Sequence, residues 1–163
     1  MRIETNLHAT AIVIGTGGVL FLGPSGAGKS SLAFSCMAAA GQAQVFTALI
    51  ADDQVFVEDI SGHVVAKRPS SIAGLIEIRH SGIARVDSID AAVIHLAVLI
   101  VDRAHADRLP TAEAVWRLPI GLDLPLLHMA ADAPAPFSIL MERLAPSTRE
   151  TGTESFPKTR FHF

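Results

Sequence analysis

Val19-Leu20-Phe21-Leu22-Gly23-Pro24-Ser25-Gly26-Ala27-Gly28-Lys29-Ser30 decides the fold. Its first four residues form a short apolar run, of the kind a strand buried on both faces shows. The next eight fit the pattern G-x-x-x-x-G-K-[ST]. Lys29 to Ala40 is then rich in Ala, Leu and Met and reads as a helix, with Gly41 expected to end it. Strand, glycine-rich loop and helix in that order form a phosphate-binding loop. Glycines let successive backbone N–H groups turn toward phosphate oxygens, and the helix adds the partial positive charge of its N-terminus. Gly23, Pro24, Ser25, Gly26, Ala27, Gly28, Lys29, Ser30 and Ser31 are therefore the candidate nucleotide-binding residues. Lys29 would reach the β- and γ-phosphates, and the Ser30 hydroxyl would ligate Mg²⁺.

Upstream, Leu7 to Ile14 reads as a strand and Gly15 to Gly18 as a turn. Downstream, Ala48-Leu49-Ile50-Ala51 is an apolar strand that runs into Asp52-Asp53. A phosphate loop needs an acid of this kind for its metal. Neighbouring side chains of an extended chain point to opposite sides, so one acid can serve the metal and the other the acceptor. Residues 54–59 and 63–66 around Ser61-Gly62 read as a hairpin, and the apolar stretches 75–79 and 83–86 flank His80-Ser81-Gly82. Ala91 to Asp102 reads as a central strand, His105 to Arg117 as a loop, Leu124 to Met129 as a strand and Ala135 to Leu144 as a helix. The fold class is α/β with much β-structure in one domain, residues 1–145, followed by a polar, mobile tail over 146–163.

The chain has 163 residues, 50% of them hydrophobic and 18% charged, enough apolar material for one core. A net charge of −3 gives no basic excess for nucleic acid. No apolar run is long enough to cross a membrane, and no leader is visible, so a cytoplasmic protein is expected. The single cysteine, Cys36, lies in an apolar helical run and reads as a buried structural thiol. His63, His95, His105, His128 and His162 lack metal-ligand spacing.

Three blocks together resemble the catalytic domain of HPr kinase/phosphorylase in a short form. His8 lies fifteen residues before Gly23; Ala51-Asp52-Asp53-Gln54-Val55 is similar to the family's A-D-D-x-V; and residues 75–83, LIEIRHSGI, look like its signature L-E-I-R-G-x-G-I. The resemblance covers residues 5–100 and implies a P-loop kinase core related to phosphoenolpyruvate carboxykinase, often assembled as a hexamer. It implies an ATP- and Mg²⁺-dependent serine kinase acting on an HPr-type phosphocarrier of the phosphotransferase system, with phosphorolytic dephosphorylation as a second reaction. It makes Asp52 the catalytic carboxylate with His8 beside it, and gives Ser30, Asp53 and Glu77 to the metal. Arg79 falls in the signature loop tied to phosphorolysis.

This sequence departs from the family pattern in three places. Pro24 stands where the longer family members have an acid. His80 replaces a signature glycine, which predicts a different turn, because a bulky residue does not readily reach φ > 0. The basic V-[KR]-x-G-R-N segment has no equivalent, since His128 to Ala135 contains no Lys or Arg. Two other readings stay open on the residues alone. One is a small-molecule kinase or NTPase; the other is a nucleotide-sensing domain without catalysis.

Overall fold

The computed structural model describes residues 3–109 and 113–146. The expected tail over 146–163 lies, beyond Pro146, outside the described residues. The elements in order are β1 (Glu4–Leu7), β2 (Thr10–Ile14), β3 (Gly17–Leu22), α1 (Lys29–Gln42), β4 (Thr47–Ala51), β5 (Val55–Ile60), β6 (His63–Lys67), β7 (Leu75–Ile78), β8 (Gly82–Arg85), β9 (Ala91–Val101), β10 (Val115–Arg117), β11 (Asp123–Ala130) and α2 (Pro136–Leu144).

Strand β9 organises the fold because it belongs to two layers. Its first residues, Ala91 to Val93, pair antiparallel with β6, which continues through β5 to β1. Its later residues pair in parallel with β3 on one side and β11 on the other, and β3 continues through β2 to β4. The switch happens at a bulge: Gly18 faces Ile94 and Val19 faces Leu96, so His95 is the extra residue. An extra residue reverses which face each later side chain meets. Ile94 accordingly packs in one core, while Leu96, Val98 and Ile100 pack in the other. Gly18 allows the crossing, since a Cβ there would lie 2.0 Å from the Val93 carbonyl oxygen.

One core lies between the helices and the parallel part of the sheet. It joins Ile12, Val19, Phe21 and Val98 to Leu32, Cys36 and Met37 of α1 and Leu140 of α2. The second lies between the two sheet layers, with Val13, Leu20 and Ala97 facing Val55, Val57 and Ala66, closed at one end by Leu118, Ile120 and Leu124. The β7–β8 hairpin stands apart as a two-stranded sheet; it inserts fully buried Ile76 into the core beside α1, with Ile78 and Ala84 partly buried against it.

The structure corrects several expected boundaries. The expected strand 7–14 breaks at His8-Ala9 into β1 and β2. Gly41 does not end α1; the helix runs to Gln42, and Gln44 takes the left-handed turn at φ 58°. Val45 N–H donates to the Ala40 carbonyl there, so the end of the helix is tied down without glycine. The expected loop 105–117 contains β10, which pairs with β11. His80 sits at φ 66°, so the signature turn keeps a left-handed residue in spite of the missing glycine. Cys36 is fully buried, and burial pushes its thiol up to about 12.

Candidate functional site

The glycine-rich loop, residues 23–28, connects the carboxyl end of β3 to α1, and Lys29, Ser30 and Ser31 form the first turn of the helix. Gly28 at φ 98° is the N-cap, a conformation that costs a side-chain-bearing residue energy. No acidic side chain occupies the first turn, so nothing in the helix itself neutralises its N-terminal field. Lys29 is buried and folds back along the loop, its Nζ donating to the carbonyls of Gly23 (2.8 Å) and Pro24 (3.0 Å). Burial holds the Lys29 ammonium below the usual lysine range, and the carboxylates of Asp53 and Asp52 pull in the opposite direction.

Asp52 follows the last residue of β4 and collects three donors. Thr10 Oγ1 (2.8 Å) and Ser30 Oγ (2.6 Å) donate to its Oδ1, and the Glu77 main-chain N–H donates to Oδ2 at 3.1 Å. Asp53 turns the other way. The Gln54 N–H donates back to the Asp52 carbonyl at 2.9 Å with Asp53 at φ 70°, which is a γ-turn in its strained, left-handed form. The side chain therefore faces the gap between β1 and β2, where His8 Nδ1 lies 2.9 Å from Asp53 Oδ1 and 3.2 Å from the Asp53 carbonyl oxygen. Both partners are acceptors, so Nδ1 carries the proton.

These contacts differ from the pairing the resemblance implied. His8 stands beside Asp53 rather than Asp52, and Ser30 is joined to Asp52 rather than Asp53. The reason is the γ-turn, which sends two consecutive carboxylates in opposite directions. Glu77 reaches the cluster through its main chain. Arg79 reaches the loop, its Nη1 donating to the Gly26 carbonyl at 3.3 Å, and a Cβ on Gly26 would lie 2.7 Å from Arg79 Nη2. Gly26 is favoured by its φ of 80°, and a side chain there would also displace the tip of Arg79. Sequence reasoning missed Thr10, which is fully buried with its hydroxyl on Asp52. A threonine in an apolar strand carries no such signal until the strand is placed beside β4.

Among the described residues, no three or more His, Cys, Asp or Glu side chains converge as a metal site. The Ser30–Asp52 pair fits Mg²⁺ in the way that ion is held beside nucleotides, by one or two protein oxygens with phosphate and water completing the shell. Among the described residues, no helix is long and apolar enough to cross a membrane.

The model of the HPr Serine kinase C-terminal domain matches residues 1–149. The chain belongs to this family. It is 31% identical over 86 residues to the HPr kinase/phosphorylase of Clostridium beijerinckii, covering 53% of this chain and 26% of that protein. The corresponding protein of Clostridium tetani is 33% identical over 86 residues, with the same shares covered. The chain therefore aligns with about a quarter of the length of these relatives. The solved HPr(Ser) kinase/phosphatase of Coxiella burnetii superposes with a TM-score of 0.66 at 21% identity, covering 86% of this chain and 87% of that one. At that identity the superposition shows that the two share a fold, in agreement with the α/β, strand-rich class expected for an HPr kinase.

Proposed function

We propose that this protein is an ATP- and Mg²⁺-dependent kinase that phosphorylates a serine of an HPr-type phosphocarrier protein. One observation carries the reading: consecutive carboxylates beside a phosphate loop have separate partners, Asp52 on Ser30 and Asp53 on His8. That division supports separate roles for them. With three donors on it, Asp52 has few lone pairs left for a substrate proton, and its contact with the loop serine suits the metal side. Asp53 has a side chain 70% exposed and is held from one side by His8, so it can meet an incoming hydroxyl.

In this mechanism Lys29 and the loop amides hold the phosphates, and Arg79 supplies a second positive charge at Gly26. Mg²⁺, when bound, neutralises charge building on the β- and γ-phosphates. Asp53 accepts the proton of the attacking serine hydroxyl, and His8 fixes its carboxylate orientation. In phosphorolysis, a second reaction, inorganic phosphate attacks the phosphoserine to form pyrophosphate, and the same carboxyl group, now protonated, gives its proton to the departing serine oxygen. The exposure of Asp53 and His8 favours a macromolecular acceptor over a small molecule, because a small-molecule kinase encloses its acceptor.

The test is transfer from γ-labelled ATP to an HPr-type carrier, with the carrier's target serine changed to alanine as control. Asp53→Asn is expected to cut transfer by about 10²–10⁴-fold with nucleotide affinity retained. Asp52→Asn is expected to weaken binding of the Mg²⁺–nucleotide complex as well as transfer. Undiminished transfer by Asp53→Asn, or label that persists on the alanine carrier, would sink the assignment.

A further inference from the structure

Strand β2 is apolar after its first residue, Thr10, and all five of its residues are buried. Thr10 is fully buried, where a valine of the same shape would bring no polar atom in need of a partner. The neighbouring strand explains what the hydroxyl meets. Ile12 faces Leu49 and Ala11 faces Ala51, so Ile50 is the extra residue of a β-bulge in β4. Beyond a bulge the side chains change faces. Leu49 accordingly packs in the core under the helices, whereas Ile50 and Ala51 both pack between the sheet layers. Asp52 comes next and returns to the helix side, within reach of both Thr10 and Ser30.

An ionised carboxylate offers about two lone pairs on each oxygen. Oδ1 of Asp52 accepts from Thr10 Oγ1 at 2.8 Å and from Ser30 Oγ at 2.6 Å, which fills it. Oδ2 accepts from the Glu77 N–H at 3.1 Å. The carboxylate is thus tied to β2, to the first turn of α1 and to β7, and it cannot rotate without breaking one of these bonds. A serine hydroxyl has one proton and two lone pairs. The Ser30 proton points at Asp52, so the lone pairs of Ser30 Oγ point elsewhere and are open to a cation.

We propose that Thr10 is a positioning residue for Mg²⁺: it holds Asp52 in the orientation that keeps the Ser30 proton on the carboxylate and the Ser30 oxygen open to the ion. The proposal rests on the kinase reading above and deepens it. Mg²⁺ demands near-ideal octahedral geometry, so an oxygen whose direction wanders holds it poorly. Hydrogen-bonding partners behind a ligand commonly set about 10–100-fold of metal affinity. Thr10 acts at one remove further, through Asp52 on Ser30. The loop amides and Lys29, which hold the phosphates, do not depend on it.

The test is calorimetry of ATP binding to the whole chain, at graded Mg²⁺ and in EDTA, for the wild type, Thr10→Val and Thr10→Ser. Valine keeps the shape and removes the donor; serine keeps the donor. Thr10→Val is expected to need about tenfold or more Mg²⁺ to reach half of the ion's effect on ATP affinity. Thr10→Ala, which removes the donor in a smaller side chain, is expected to show the same shift. Thr10→Ser is expected to stay near the wild type, and ATP affinity in EDTA to be the same in all variants. In the free protein, amide exchange at Glu77, followed by NMR, is expected to be about twofold or more faster in Thr10→Val, because Asp52 is held less firmly. A Mg²⁺ requirement unmoved in Thr10→Val and Thr10→Ala would overturn the proposal. So would a loss of ATP affinity equal with and without Mg²⁺, or a Thr10→Ser protein as impaired as Thr10→Val. A Glu77 amide indifferent to the substitution would overturn it as well, since Thr10 would then not hold the carboxylate. If the wild-type protein binds no ATP, the kinase reading fails and this proposal fails with it. A wild type that binds ATP, with the Mg²⁺ requirement unmoved in the variants, sinks this proposal alone.

Discussion

In the proposed mechanism Lys29 is the residue on which nucleotide binding first depends, and its surroundings give it an unusual pH response. A lysine meets phosphates as an ammonium. Burial lowers its proton affinity below the ordinary value of 10.5, with Asp53 and Asp52 opposing the shift. As pH rises through that lowered value, the free protein loses the charge the nucleotide needs. ATP affinity is therefore expected to fall at a pH below 10.5. Folding stability moves the other way. Between the lowered folded-state value and 10.5 the unfolded chain holds a proton that the folded chain has lost, so Lys29 contributes stability that grows with pH across that window. Calorimetric titrations of ATP against pH check this, with Lys29→Arg as the comparison, since a guanidinium stays charged throughout. A fall in affinity at the same pH in Lys29→Arg would assign it to another group.

At the scale of elements, the bulge in β9 joins the two layers and has a chemical stopper. Gly18 is buried, and its N–H, displaced from the regular ladder, donates to His95 Nδ1 at 3.0 Å. His95 is itself exposed, so His95→Ala exchanges this bond for one to water. It is expected to cost about 0.5–1.5 kcal/mol in chemical denaturation, whereas His95→Asn, which offers a carbonyl oxygen, recovers part of the loss. An unchanged denaturation midpoint in His95→Ala would remove His95 from this role. The bulge also explains what the sequence could and could not disclose. The phosphate loop, α1 and the hairpin β5–β6 were legible because each is written in local residues: glycines, a helix-forming run, a Ser-Gly turn. Residues 91–102 were legible as a central strand because they are apolar and β-branched. The reversal of faces at His95 was not, because Ile94 and Leu96 are both apolar and fit either core. The same limit hid the direction of Asp52 and Asp53. Two adjacent acids imply opposite faces, but only the γ-turn at Asp53 decides which one meets Ser30.

Across the whole molecule, stability and function are unevenly distributed. Strands β3, β9 and β11 sit between the two cores, so their amides should exchange only when the whole chain opens. The β7–β8 hairpin is anchored differently. It has two strands, an Ile83 that is 72% exposed, and Ile76 as its fully buried side chain. Two of its polar ties end at the proposed nucleotide site: the Glu77 N–H on Asp52 and the Arg79 guanidinium on Gly26. A ligand that organises Asp52 and the loop therefore tightens the hairpin without touching most of it. Hydrogen–deuterium exchange is expected to show the hairpin amides exchanging well before those of β9 in the free protein, and slowing by about tenfold or more when Mg²⁺ and ATP are added at saturating concentration. Arg79→Ala should remove part of that slowing and leave β9 unaffected. Hairpin amides as slow as those of β9 in the free protein, or exchange indifferent to nucleotide, would mean that the hairpin is a rigid part of the core. In that case the contacts of Glu77 and Arg79 would be structural rather than a coupling between the hairpin and the phosphate site.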